Sequence, residues 1–218
     1  MATRPHSTER DDRDVRKIVL MMSISLDGYI EGPGRDISWH RVDEELHRHA
    51  NDTVARMGGL LHGRVMYELM AGYWPTADAD PEAAPVTTDF ARVWRDTPKV
   101  VYSRTLRHAD WNTTIAREVV PEEVRALKEQ PGGDLGLGGA EIAAAFLRHD
   151  LVDEFHIYVH PVLVGDGKPL FPRTDPRTAT SLRLIESRTF ANGVVLLRHE
   201  RLQPEARPDV PGASGAGR

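Results

Sequence analysis

Asp134-Leu135-Gly136-Leu137-Gly138-Gly139-Ala140-Glu141-Ile142-Ala143-Ala144-Ala145-Phe146-Leu147 is the most informative segment of the chain. An apolar strand runs into paired glycines, and an Ala-rich helix starts at once. Such a junction leaves backbone N–H groups unpaired at a helix N-terminus with no side chain in the way, so a phosphate can approach the positive end of the helix dipole. Two further stretches repeat the idea: Leu60-Leu61-His62-Gly63-Arg64 and Val100-Val101-Tyr102-Ser103-Arg104-Thr105. Three strand ends with phosphate-compatible chemistry point to a nucleotide laid across the edge of a sheet.

Working outward, Lys17 to Ser25 reads as a strand buried on both faces, followed by a glycine-rich loop from Gly28 to Gly34. Asp43 to Met57 reads as a helix, with Leu46, Ala50 and Val54 at four-residue steps. Gly59 to His62 is a short strand and Val65 to Ala71 a short helix; a Pro/Ala/Asp loop then leads to a helix from Thr88 to Arg95 capped by Thr87 or Thr88. Lys99 to Ser103 and Thr113 to Ala116 are strands, and Pro121 opens a helix with Glu122 and Glu123 in its first turn. Beyond the helix from Ala140 to Leu147 the pattern changes. Glu154 to Val164, Leu182 to Thr189 and Val194 to Leu202 read as strands without intervening helices, and Asn192-Gly193 signals a hairpin. An α/β front half with an antiparallel back end implies a mixed sheet.

The 218 residues suit one domain over 16–202, between expected disordered tails at 1–15 and 203–218. A formal charge of −5 gives no general attraction to nucleic acid or to an anionic membrane. With no cysteine, thiol catalysis and thiolate metal sites are excluded, which fits a cytoplasmic protein. No signal peptide or membrane span is expected, because the apolar run from Ile18 to Ser25 is too short to cross a bilayer. His40, His47, His49 and His62 lie near acidic residues but show no H-E-x-x-H spacing, so a solvated helix is expected rather than a metal site. The dehydrogenase fingerprint G-x-G-x-x-G is absent, and no acid ends the next strand, so a classical dinucleotide-binding domain is disfavoured.

The order of motifs is more specific than any one of them. Met22-Ser23-Ile24-Ser25-Leu26-Asp27-Gly28-Tyr29-Ile30 is followed by Trp39, by His62-Gly63-Arg64-Val65-Met66-Tyr67-Glu68, and by Tyr102-Ser103-Arg104-Thr105-Leu106. Then come Leu137-Gly138-Gly139-Ala140-Glu141 and His160-Pro161-Val162-Leu163-Val164-Gly165-Asp166-Gly167-Lys168-Pro169-Leu170-Phe171. Over nearly the whole domain this resembles the dihydrofolate-reductase-like family that includes the reductase domain of the riboflavin-biosynthesis deaminase-reductase.

The resemblance implies a three-layer α/β sandwich, with a mixed, mainly parallel sheet flanked by helices and an antiparallel C-terminal hairpin. It also implies NADPH as hydride donor and a homodimer. By the same resemblance, Met22 and Ser23 lie at the nicotinamide end, Ile30 is a cofactor contact, and Gly63 and Arg64 lie in a turn that meets the cofactor's phosphates. Ser103, Arg104 and Thr105 match the 2′-phosphate site; the alternatives are a surface position on a helix for Arg64 and the capping of a turn for Ser103. Leu137, Gly138, Gly139, Ala140, Glu141 and Ile142 match the pyrophosphate loop, where the family's Gly-Gly bond is commonly cis. Hydroxyls plus a guanidinium are independently the chemistry a phosphate monoester calls for.

At the reacting end, Asp27 and Glu44 are the candidates for supplying a proton, against the alternatives of a turn-building Asp and a helix-dipole acid. Asp43, Trp39 and Tyr67 are candidates for substrate contact, with core packing the alternative for the two aromatics. The functional expectation is an NADPH-dependent reductase of a small heterocyclic or imine/carbonyl substrate. Reduction of a ribosylaminopyrimidine of riboflavin biosynthesis is the best-motivated case. Dihydrofolate reduction and a non-catalytic NADPH-binding module are the alternatives. The apolar strand from Glu154 supplies a local motive for the dimer, the alternative being a monomer in which the hairpin of Leu182 to Thr189 and Val194 to Leu202 covers that strand.

Overall fold

The computed structural model describes residues 15–171 and 180–202. The expected tails thus lie almost wholly outside the described residues. Eight strands form one sheet in the order β5-β4-β3-β6-β1-β7-β10-β9, and β2 with β8 forms a two-stranded ribbon. The first six strands of that order are parallel to their neighbours. β10 runs antiparallel to both β7 and β9, which gives the mixed sheet and the terminal hairpin that the sequence implies.

β1 (Ile18–Ser25) is the central strand, held by β6 (Leu135–Gly138) on one side and β7 (Glu154–His160) on the other. Strand alternation sends its side chains to two cores. Ile18, Leu20 and Met22 join Leu135, Leu137, Phe155 and Ile157 beneath α5 (Ala140–Arg148) and α4 (Pro121–Lys128). On the opposite face, Leu60 of β3 (Gly59–Gly63) and Val101 of β4 (Lys99–Tyr102) pack under α1 (Glu44–Ala55) and α3 (Pro85–Asp96), against Phe90 and Trp94. Phe146 and Trp94 are completely buried, one in each core. Their removal from water, worth roughly 2–3 kcal/mol each, fastens a helical layer to each face of the sheet. The result is a three-layer α/β sandwich.

Several boundaries differ from the sequence reading, each for a local reason. α3 begins at Pro85 with Ala84 as an N-cap that makes no side-chain bond, not at a threonine. Pro at the first helical position gives up a donor that has no intrahelical partner anyway. β7 stops at His160 because Pro161 has no N–H and Val162 donates back to the His160 carbonyl at 2.8 Å. The glycine-rich loop after β1 contains β2 (Tyr29–Glu31), which pairs with β8 (Lys168–Pro169). At Gly167, which has a φ of 136°, an added Cβ would sit 2.0 Å from the Glu31 carbonyl oxygen, so only glycine lets the ribbon close. β5 (Thr113–Ala116) and β9 (Leu182–Thr189) form the two edges of the sheet, and every residue of β9 is exposed. No helix among the described residues is long and apolar enough to cross a membrane.

Candidate functional site

Parallel strands place their C-terminal ends on one side of the sheet, and there the ends of β3 and β4, with Gly139 just after β6, border a cleft of about 450 Å³. That volume is within the range of small-molecule sites. Two helices start on its wall. α2 (Arg64–Ala71) follows Gly63, and α5 follows Gly139. Neither glycine supplies a side-chain cap, so the first N–H groups of both helices have no capping partner, and the residues that carry them line the cleft. Two uncapped helix N-termini facing one space present two sets of donors and two positive dipole ends to a polyanion.

The two glycines reach this arrangement differently. Gly63 has an ordinary extended backbone, with φ −74° and ψ 162°. Gly139 turns the chain with φ 110° and ψ 133°. No peptide bond among the described residues is cis, so the cis Gly138–Gly139 bond expected from the resemblance is not present. The positive φ of Gly139 reverses the chain instead. The Gly139 N–H points away from the cleft toward the Met22 sulfur, 3.1 Å distant. Leu137 and Gly138 are buried within β6, and they, Met22 and Ser23 do not line the cleft. Ile30, Gly63, Arg64, Ser103, Arg104, Thr105 and Gly139 through Ile142 do.

Beyond β4 the Ser103 hydroxyl accepts from the Leu106 N–H at 2.9 Å and from the Thr105 N–H at 3.3 Å. The hydroxyl therefore shapes the turn, which leaves Arg104 and Thr105 exposed on the wall. Arg117, just past β5, reaches the same wall and donates to the Ser103 carbonyl at 3.1 Å and the Leu106 carbonyl at 2.6 Å. Opposite, Lys168 of β8 donates to Glu141 in the first turn of α5 at 2.7 Å, and that bond holds the Glu141 carboxyl below the usual carboxylate range. Arg64 pairs along α2 with Glu68 at 3.0 Å.

The expected reacting-end residues are dispersed. The Asp27 carboxylate accepts from the Ser25 hydroxyl at 2.6 Å and from the Gly165 and Val164 N–H groups at 2.8 and 3.2 Å. The Ser25 bond first, with the two backbone bonds, keeps Asp27 below its ordinary range. A carboxylate occupied in this way ties β1 to the 164–165 loop and is a poor proton donor. Glu44 is exposed and pairs with Arg48 one turn along α1, while Asp43 caps that helix by accepting from the Leu46 N–H at 2.9 Å. Trp39 is half-buried, its indole N–H on the Asp36 carbonyl at 3.1 Å and its ring edge-on to His40 and His160. Tyr67 lies in the α1/α3 core, 5% exposed, exchanging hydrogen bonds with the Asp110 backbone and stacked on Trp94. It does not border the cleft.

The histidines also depart from the solvated helix expected. His62 is on β3, buried, and desolvation lowers its pKa to about 4. His160, fully buried at the end of β7, is stacked on His40 with ring centres 5.1 Å apart and is likewise lowered by burial to about 4. Among the described residues no group of three or more His, Asp or Glu is arranged to hold a metal ion. The cleft residues that the sequence reading missed include Glu31, Val65, Met66, Leu69, Tyr102, Arg117, Glu118, Val119, Ala145 and Lys168. Val65, Leu69 and Ala145 were within reach of helical periodicity from Gly63 and Gly139. Arg117 and Lys168 carried no local signal.

Comparison with known proteins agrees with this architecture. The family model of the RibD C-terminal domain matches residues 16–196. The chain is 34% identical over 181 residues to the uncharacterized protein YyaP of Bacillus subtilis (strain 168), covering 83% of this chain and 92% of YyaP. It is 28% identical over 183 residues to the uncharacterized protein YwjB of the same organism, covering 83% and 96%. A putative riboflavin biosynthesis protein from Shewanella sp. PV-4 superposes with a TM-score of 0.65 at 21% identity, covering 86% of this chain and 99% of that one. A diaminohydroxyphosphoribosylaminopyrimidine deaminase/5-amino-6-(5-phosphoribosylamino)uracil reductase from Thermotoga maritima superposes at 0.61 and 16% identity, covering 87% of this chain and 58% of that one. The two superpositions establish a shared fold. Matched by the family model over most of its length, and more than 30% identical to a relative that it covers almost entirely, the chain belongs to the RibD C-terminal domain family.

Proposed function

We propose that the chain is an NADPH-dependent reductase acting on a small heterocyclic or imine/carbonyl substrate. A single observation carries this reading: two uncapped helix N-termini and an arginine-bearing turn border one cleft at the C-terminal edge of a parallel sheet. The donors suit a ligand with a pyrophosphate at one point and a phosphate monoester at another, which is the anatomy of NADPH. When bound, a reduced nicotinamide supplies the hydride.

The chain's own residues bind and orient. Backbone N–H groups of α2 and α5 would hold the pyrophosphate, Arg104 and Thr105 would take the monoester, and Ile30 would offer an apolar contact to the cofactor. Hydride transfer needs no protein nucleophile, so holding donor and acceptor in register is the main contribution of the site. With Asp27 ionised and hydrogen-bonded and Glu44 paired to Arg48, the proton required for reduction comes from solvent or from the substrate.

Membership of the family motivates one substrate before others, a 5-amino-6-(5-phosphoribosylamino)uracil, the compound named for the Thermotoga relative. The ribosylamine ring opens first, the C1′–O4′ bond breaking as the N–H proton passes to O4′ to leave a C1′ imine; reduction then adds hydride to C1′ and a proton to the nitrogen, which gives a ribityl chain. A cysteine-free chain of this kind fits the reducing cytoplasm, which we propose as its compartment. We further propose a homodimer in which a second copy covers the exposed edge around Leu182, Leu184 and Ile185, 39–53% exposed.

The test is a fluorescence titration with NADPH and NADH, followed by incubation of the NADPH complex with that pyrimidine and with dihydrofolate. Oxidation of NADPH with the pyrimidine supports the reading. Oxidation with dihydrofolate alone reassigns the substrate. Tight NADPH binding without turnover on any acceptor leaves a binding module, and no dinucleotide binding overturns the proposal.

A further inference from the structure

At its β4–β5 end the cleft opens into a second cavity of about 390 Å³, lined by Arg104, Thr105, Arg107 and Arg117. The two spaces share Arg104, Thr105 and Arg117. Three guanidinium groups therefore face one recess. Among the described residues none of the three is in an ion pair, and the ion-paired arginines nearest in sequence are Arg95 and Arg125, engaged with Asp78 and Glu122. Glu118 borders the adjoining cleft without pairing to any of them among the described residues. Nothing in the packing calls for this convergence of like charge, which opposes itself until an anion arrives.

Arg117 differs from the other two because it is anchored. One terminal nitrogen donates to both the Ser103 and Leu106 carbonyls. Those residues begin and end the turn that the Ser103 hydroxyl closes from inside through the Thr105 and Leu106 N–H groups. The turn carrying Arg104 and Thr105 is thus held from both sides. A guanidinium has five N–H donors, so two are committed to the carbonyls and three remain. A planar fork fixed in this way loses little freedom when it binds an anion.

We propose that Arg117 is a specificity-determining residue for a phosphate monoester dianion. It locks the 103–106 turn in the conformation that presents Arg104 and Thr105, and it gives its remaining donors to the same dianion. Arg107 adds charge at the outer rim. The inference rests on the reductase reading only for the source of the monoester, which there is the 2′-phosphate of NADPH.

The test measures dissociation constants for NADPH, NADH, adenosine 2′-monophosphate and adenosine 5′-monophosphate on the wild-type chain and on Arg117→Met and Arg117→Lys. Thermal melts precede the titrations. In Arg117→Met, NADPH and the 2′-monophosphate should weaken by about ten- to hundredfold, the usual range for one charge-assisted bond. NADH, which carries no phosphate monoester, should weaken by less than about twofold, and the 5′-monophosphate by less than the 2′-monophosphate. Arg117→Lys keeps the charge and its salt dependence but cannot hold both carbonyls and the dianion, so it should still lose about fivefold or more for NADPH.

Equal weakening of NADPH and NADH, or no change in either, overturns the proposal by reducing Arg117 to a structural residue or a bystander. If Arg117→Met does not fold, the NADPH-to-NADH ratio of Arg117→Lys decides. If the wild type binds the 2′-monophosphate but neither dinucleotide, the reductase reading fails while Arg117 is still judged on the nucleotide. If it binds no monoester at all, the inference fails with it.

Discussion

Gly63 and Gly139 do the same job, each leading into a helix that faces the cleft, yet the structure predicts opposite responses to alanine. At Gly139 a Cβ has room: its nearest neighbours would be Ile142 Cγ2 and Met66 Cβ, both at 3.6 Å, which is ordinary contact. Space is therefore not the obstacle. The obstacle is the φ of 110° with ψ 133°, close to a region that only glycine occupies without strain, where a side chain costs about 1–3 kcal/mol. Gly139→Ala should lose that much stability, or move the backbone and with it the first N–H groups of α5. At Gly63 the Cβ would also meet Ile142 at 3.6 Å, but φ is −74°, and alanine is at home there. Gly63→Ala should be neutral, or gain about 0.4–1 kcal/mol by restricting the unfolded chain. Urea denaturation of both variants, read by tryptophan fluorescence and circular dichroism, measures the difference. Equal destabilisation by the two substitutions would refute the argument, because it would make crowding rather than backbone conformation the determinant. An NADPH titration of the folded Gly139→Ala protein should then show at least about tenfold weaker binding.

Arg104→Ala should weaken NADPH by about ten- to hundredfold and barely change NADH, in parallel fluorescence titrations. Glu154 is 6% exposed, bonded to His156 at 3.2 Å and to Lys17 at 2.6 Å, and its carboxyl is lowered from 4.5 to about 2, with the His156 bond the leading cause. A depressed carboxyl stabilises the fold above its unfolded pKa and loses that contribution as pH falls toward the folded value. Stability should therefore drop by on the order of 2–3 kcal/mol between about pH 5 and pH 2, and Glu154→Gln should flatten that limb in pH-dependent urea melts. Sedimentation equilibrium at micromolar concentration should give twice 24.4 kDa for the proposed dimer. A mass near 24.4 kDa, unchanged by Ile185→Glu, would rule the dimer out.

Much of the sandwich was legible because its strongest signals are local. The apolar strand, paired glycines and Ala-rich helix of residues 135–147 need no distant partner to be recognised, and their structural counterparts differ only by a residue at either end. Tyr67 shows where such reading fails. It follows Met66 directly, but successive helical residues diverge by about 100°. Met66 therefore borders the cleft while Tyr67 enters the opposite core. Asp27 was legible as a residue with a purpose but not as the anchor of a loop about 137 positions away. Arg117 and Lys168 were invisible for the same reason. Each reaches the cleft from an element that meets it only once the sheet has assembled, so no spacing within their own segments could announce them.

The position of β1 also governs when this chain is able to fold. Ile18 lies opposite Leu135, and Val19 opposite Glu154, so both neighbours of the first strand are synthesised more than a hundred residues after it. An emerging chain therefore carries its most apolar strand with neither edge paired until β6 has been made, and with one edge still open until β7 follows. Loop-closure entropy delays these distant pairings further, and an unpaired apolar edge is a template for association with other chains. The vulnerable interval is the time between translation of Ile18 and translation of His160. A chain halted just before Leu135 has β1, the β3-β4-β5 side of the sheet and α1 to α4 but neither neighbour of β1, and is a substrate for chaperones rather than a smaller version of the folded protein.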